Sequence, residues 1–194
     1  MKRKIANALM AIGVLCICFA MGLLIYNNHE SNAARDNAVV VMDSIRIAIA
    51  EQETAPVIAD PFDDEMTVRE IDGYGYIGYL SIPALELDLP VMSEWDYDRL
   101  KIAPCRYYGS AKTDNLVIAA HNYRWHFGYL GHLNPGDTII FTDMDSNVRT
   151  YKVDYVELLM PHDGALVKDT GNDLILYTCT YGGEKRITVR CSYQ

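Results

Sequence analysis

From Ile5 to Tyr26 the chain carries one polar side chain, Asn7, and no charge until Glu30. That run constrains the fold more than any other stretch. It cannot serve as the surface of a water-soluble domain, and as a helix it matches the roughly 20 residues that cross a bilayer core. Lys2, Arg3 and Lys4 precede it and no cation follows closely, which predicts a cytoplasmic N-terminus with the bulk outside. A cleaved signal peptide would have a shorter apolar region ending in a small-x-small site, whereas this run ends in Leu24-Ile25-Tyr26. The expected organisation is a tail over residues 1–4, an uncleaved signal anchor over 5–26, an extracellular stalk over 27–73 and a folded domain over 74–194.

In the stalk, Ser31 or Asn32 can cap a helix reaching Gln52. Val39, Val40, Met42, Ile45, Ile47 and Ile49 are more than a fully solvated helix needs, which leaves packing of part of it on the domain open, but the preferred reading is a membrane-proximal spacer. Thr54 to Glu65 has two prolines, several acids and no period, hence a loop. From Tyr74 the pattern changes to short strands: Tyr76–Ile82, Leu85–Leu89, Asn115–His121, Thr138–Phe141, Val148–Met160, Leu174–Cys179 and a last one from Arg186. Short helices fit Ser93–Leu100 and Tyr129–Leu133. Close spacing of about eight such strands implies a mainly β domain, a mostly antiparallel barrel or sandwich.

The net charge of -9, with no basic stripe beyond the first few residues, argues against nucleic-acid binding. Of five cysteines, Cys16 and Cys18 lie in the apolar run and read as filler. Cys105, Cys179 and Cys191 remain, so at least one outer thiol is unpaired within the chain, and a Cys105–Cys191 disulfide is conceivable. No CxxC lies outside the apolar run, so a structural zinc site is not expected.

One strand ends at Cys179, another at His121, and Arg186 opens the strand after a Gly182-Gly183 loop. In a barrel, strand ends on one rim converge. A thiol is a competent nucleophile toward a carbonyl when a histidine takes its proton and protonates the leaving group. An arginine stays charged throughout and can hold a developing oxyanion. The plain alternative is a core cysteine, a turn histidine and a solvated arginine. Arg190 ranks below Arg186, lying about 13 Å further along the strand; it and Lys185 read as solvated or edge charges. His126, His132 and His162 read as surface residues and His29 as interfacial. The spacing of His121, His126 and His132 suits no metal site.

Several blocks stand out together: Ile77-Gly-Tyr-Leu-Ser-Ile-Pro83 with Leu87-Asp-Leu-Pro-Val91, Asn115-Leu-Val-Ile-Ala-Ala-His-Asn122, Phe127 to Leu133 followed by Gly136-Asp137, and Leu176-Tyr-Thr-Cys179 with Arg186. In these blocks the chain resembles the sortases, membrane-anchored cysteine transpeptidases of Gram-positive bacteria. The Thr-x-Thr-Cys-like family signature keeps only its final Thr-Cys here. The resemblance covers Tyr74 to the C-terminus. It implies an eight-stranded β-barrel, Cys179 as nucleophile, His121 as general acid/base, Arg186 as oxyanion and substrate stabiliser, and Thr178 shaping the substrate groove. It also implies an LPXTG-like sorting signal on surface proteins or pilins, an amine acceptor on a peptidoglycan precursor or pilin lysine, and no cofactor, with calcium dependence open. Asp60-Pro61-Phe62 resembles the lid motif of class C members. The chain stops without their C-terminal apolar segment, and the 161–171 loop is too short for the long helix of class B. A class A, D or E-like member is therefore expected. The rival readings are a thiol peptidase that hydrolyses, and a non-catalytic surface module.

Overall fold

A computed structural model describes residues 2–52, 65–161, 167–168 and 170–194. The lid-like Asp60-Pro61-Phe62 turn and His162 lie outside the described residues.

Helix α1 is a single element, Lys2–Gln52, rather than a span followed by a separately capped helix. The reason is local: residues 27–33 contain no Gly or Pro, so nothing interrupts the helix between its two halves. The first half exposes its apolar side chains on all sides and is long and apolar enough to cross a membrane. The second half buries Ala34, Ala38, Val41, Met42, Ile45 and Ile49, a stripe at intervals of three and four residues on one helix face. Val41, Ile45 and Ile49 pack with Tyr76, Met92, Cys105 and Ala119. At the edge of that contact Arg46 donates to Asp88 at 2.9 Å. The segment read as a spacer is thus seated on the domain, while Val39, Val40 and Ile47 face away.

Nine strands follow: β1 (Arg69–Ile71), β2 (Tyr74–Ile82), β3 (Leu87–Met92), β4 (Cys105–Tyr108), β5 (Leu116–Ala119), β6 (Thr138–Asp143), β7 (Val148–Leu159), β8 (Leu174–Cys179) and β9 (Arg186–Tyr193). Their order is β1-β2-β3-β4-β5-β8-β9-β7-β6, and β6 pairs back onto β2. Eight strands, β2 to β9, therefore close a ring, with β1 added as a short hairpin arm. This is the barrel the resemblance implied. Closure satisfies strand edges that would otherwise template aggregation. It depends on Gly78, whose φ is +145° and where a Cβ would sit 2.1 Å from the Thr142 carbonyl oxygen. A side chain there would push β6 off β2 at the seam. Ile77, Leu80, Phe127, Phe141, Leu176 and Val189 are fully buried in the barrel core.

Most pairings are antiparallel, but β5 and β8 run parallel and in register, Leu116 opposite Leu174 through Ala119 opposite Tyr177. Both strands therefore leave the barrel at the same rim, and that pairing places the site.

Candidate active site

Ala120-His121 and Thr178-Cys179 emerge side by side beyond the β5–β8 pair. Two hydrogen bonds clamp the exits: the Ala120 N–H donates to the Tyr177 carbonyl at 3.2 Å, and the Thr178 hydroxyl donates to the Ala120 carbonyl at 2.8 Å. On the other side of β8, Arg186 lies directly opposite Cys179 in the antiparallel register with β9. His121, Thr178, Cys179 and Arg186 all line one cavity of about 220 Å³. Thr178 is buried, with its hydroxyl on the backbone next to His121.

The three outer cysteines separate sharply. Cys105 and Cys191 are fully buried, whereas Cys179 is half-buried at the cavity. All are free thiols. Cys105 lies in the cluster under α1 and Cys191 in the barrel core, so the conceivable disulfide between them is not formed. Burial pushes the Cys105 thiol up to about 12 and also raises Cys191. Both are thereby removed from thiolate chemistry.

Burial of the His121 ring lowers its pKa; Glu30 pulls the other way, and Lys101 adds a smaller lowering. A histidine below its ordinary value is neutral at pH 7 and able to accept a proton from a neighbouring thiol. The loop after it folds back on itself: Phe127 N–H donates to the His121 carbonyl at 3.2 Å and Gly128 N–H to that of Tyr123 at 2.9 Å. Gly128 is needed there, since a Cβ would come within 2.7 Å of the Tyr123 oxygen. The Tyr123 ring lies against His121, centroids 4.9 Å apart.

His126 corrects the sequence reading. It is completely buried, not on the surface, because the folded-back loop sends it inward beside Phe127. Burial, with a smaller contribution from the nearby His121, pulls its pKa down to about 4, against the backbone at Ile102. His132 is exposed. The histidines at 121, 126 and 132 therefore do not converge, and among the described residues no three His, Cys, Asp or Glu side chains are placed to share a cation.

Arg186 is half-buried, and its Nη1 donates to the Gly183 and Lys185 carbonyls at 3.0 and 3.2 Å. Those bonds fold the guanidinium over its own loop, which Thr180 N–H closes onto the Lys185 carbonyl at 2.9 Å. Arg190 is not an edge charge. It is buried and donates to Glu157, to Thr170 at 2.8 Å and to Asn172 at 2.9 Å.

The sequence reading missed the cavity's aromatic wall. Tyr97, Trp95, Tyr107 and Tyr177 contact edge-to-face in succession, with centroids 5.1, 5.7 and 5.3 Å apart. Leu159, Met160 and Val167 also line the cavity. Tyr177 carries the available sequence signal, since it stands two residues before Cys179 and so on the same side of β8. The result is an apolar trough leading to a thiol, an imidazole and a guanidinium.

The sortase domain family model matches residues 80–194, well over half the chain. Among solved structures, sortase C of Streptococcus pneumoniae is 26% identical over 79% of this chain and 87% of its own, with a TM-score of 0.56. Sortase C1 of Streptococcus agalactiae is 29% identical over 64% of this chain and 70% of its own, TM-score 0.55. A lid mutant of sortase A from Corynebacterium diphtheriae shares the fold at 22% identity, covering 81% and 95%, TM-score 0.55. A comparison with curated proteins returns no match. Relatives of class C and class A are thus similar to nearly the same degree, so the comparison fixes the family and not the class. With its domain match and its closed barrel, behind an N-terminal helix long and apolar enough to cross a membrane, this chain belongs to the sortase family.

Proposed function

We propose that the protein is a cysteine transpeptidase that cuts an LPXTG-like sorting signal on a surface protein or pilin and transfers the acyl part, N-terminal to the cut, to an amine. His121 takes the Cys179 proton, and the thiolate adds to the scissile carbonyl. Arg186 stabilises the oxyanion. The carbon–nitrogen bond breaks as His121 returns the proton to the leaving amine, giving a thioacyl intermediate on Cys179. An incoming amine, on a peptidoglycan precursor or a pilin lysine, loses its proton to His121, adds to the thioester and expels the thiolate. Thr178 holds the groove wall and the backbone beside His121. The catalytic domain faces outward, with residues 1–4 in the cytoplasm. One of the similar structures is described in terms of pilin substrate specificity, which supports pilins among the substrate candidates.

The observation that carries this reading is the register pair Cys179–Arg186 on the same cavity as His121. The apolar trough beside it suits the leucine and proline of such a signal. The test is an LPXTG-type peptide with and without a glycine-peptide acceptor, using wild type and Cys179→Ala. Acceptor-dependent ligation lost in the variant is expected. Undiminished turnover in Cys179→Ala would sink the assignment, and product formed only by hydrolysis would make the protein a thiol peptidase.

A further inference from the structure

We propose that Glu30, on the membrane-proximal part of α1, is a positioning residue for the active-site histidine, so that the anchor helix is itself a component of the active site. This rests on the reading of His121 given above. The Glu30 carboxylate accepts two hydrogen bonds, one on each oxygen: from the Tyr26 hydroxyl at 2.7 Å and from the Tyr123 hydroxyl at 2.9 Å. Tyr123 in turn lies against His121 with the two rings inclined at 33°. The helix grips the same loop again at Trp125, whose Nε1 donates to Asn32 at 3.4 Å while the Arg35 guanidinium sits 4.3 Å from its ring centre.

Electrostatics run in the same direction as the contacts. The groups facing His121 are Glu30 from α1, Lys101 from the turn before β4, Tyr123 and His126 from its own loop, and Cys179 and Arg186 across the cavity. Glu30 is the carboxylate in that set, and its two hydrogen bonds hold it ionised by lowering its pKa. It therefore offsets part of the burial that disfavours the imidazolium, the species that must protonate the leaving amine. Tyr123 supplies the stacking face, and Glu30 fixes where that face stands.

The experiment is an NMR titration of the His121 imidazole in the full chain in nanodiscs, for wild type, Glu30→Gln, Tyr123→Phe and the exposed same-helix control Asp36→Asn. Removing the Glu30 charge should move the His121 midpoint down by roughly half a unit. The limb of the pH–rate profile set by His121 should move down with it. For a sorting-signal peptide, kcat should fall about 3- to 10-fold with KM unchanged. Tyr123→Phe should act in the same direction, and Glu30→Asp should recover part of the loss. Asp36→Asn should move nothing. A His121 midpoint unmoved in Glu30→Gln, or moved equally by Asp36→Asn, overturns the proposal, even if kcat falls. The titration needs no turnover, so its outcome is separable from that of Cys179→Ala.

Discussion

The β8–β9 hairpin carries the same two residue types at both of its ends, with opposite consequences. At the loop end, Cys179 and Arg186 face each other across the ladder, half-buried, on the cavity. At the other end, Cys191 pairs with Leu174 and Arg190 with Ile175, and both are buried. There the arginine is held by Glu157, Thr170 and Asn172 and the thiol is enclosed by the core. Residue type therefore does not make a reactive pair. What differs is solvent access and the partners already engaged. The loop end leaves a thiol beside an open trough, while the far end spends its polar groups on holding β9 to β7 and to the segment before β8.

The largest effect that would sharpen this contrast is loss of the proposed nucleophile. Cys179→Ala should lower transpeptidation at least about a thousandfold with little change in Tm. Cys191→Ser should keep activity but cost about 1–3 kcal/mol of stability by burying a hydroxyl in the core, read by denaturant unfolding. Equal loss of activity from both would break the comparison. Next, Arg186→Ala should reduce kcat about 100- to 1000-fold, and Arg186→Lys should recover little because an ammonium cannot present a planar fork. Arg190→Ala should instead destabilise the fold by about 2 kcal/mol through lost charge-assisted bonds. A smaller effect is expected from Thr178→Val, which strips the Ala120 carbonyl of its buried donor. It should cost about 1–2 kcal/mol and slow turnover only severalfold. The last is a pH test. Because burial pushes Cys105 up to about 12 and Cys191 up as well, neither forms thiolate in the folded state at pH 9. Iodoacetamide at that pH should modify Cys179 among the three outer cysteines, and labelling of Cys105 or Cys191 before unfolding would break the distinction.

The strand ends were legible because they coincide with punctuation. Cys179 precedes a Gly-Gly loop, and His121 closes an uninterrupted apolar run, so their shared rim followed once a barrel was in view. Strand β4 was missed. Cys105-Arg-Tyr-Tyr is four residues with a charge inside it, too short to show a period. The docking of α1 was half visible. Ala34 and Ala38 belong to the buried stripe but are too small to mark it, while exposed Val39, Val40 and Ile47 blur its phase. The burial of His126 was hidden by its neighbours Arg124 and Trp125, since the folded-back loop that turns it inward depends on contacts at Gly128 and on α1. The aromatic wall joins residues from three separate stretches of chain, and only closure of the barrel brings them together.

The unbroken course of α1 sets an altitude. Glu30 lies four residues beyond Tyr26, about 6 Å along the helix axis, and the described cleft lined by Leu24 also touches Asn122 and Tyr181, neighbours of His121 and Cys179. The proposed placement of residues 5–26 in a bilayer puts the candidate rim at headgroup depth, on an unbroken helix instead of a flexible tether. An extended peptide gains roughly 3.3 Å per residue, so two or three residues between a membrane-held substrate's own span and its scissile bond would cover that gap. Much longer spacers would have to loop back. Under the proposed function, such a fixed height favours substrates whose cleavage site lies close to their own membrane span.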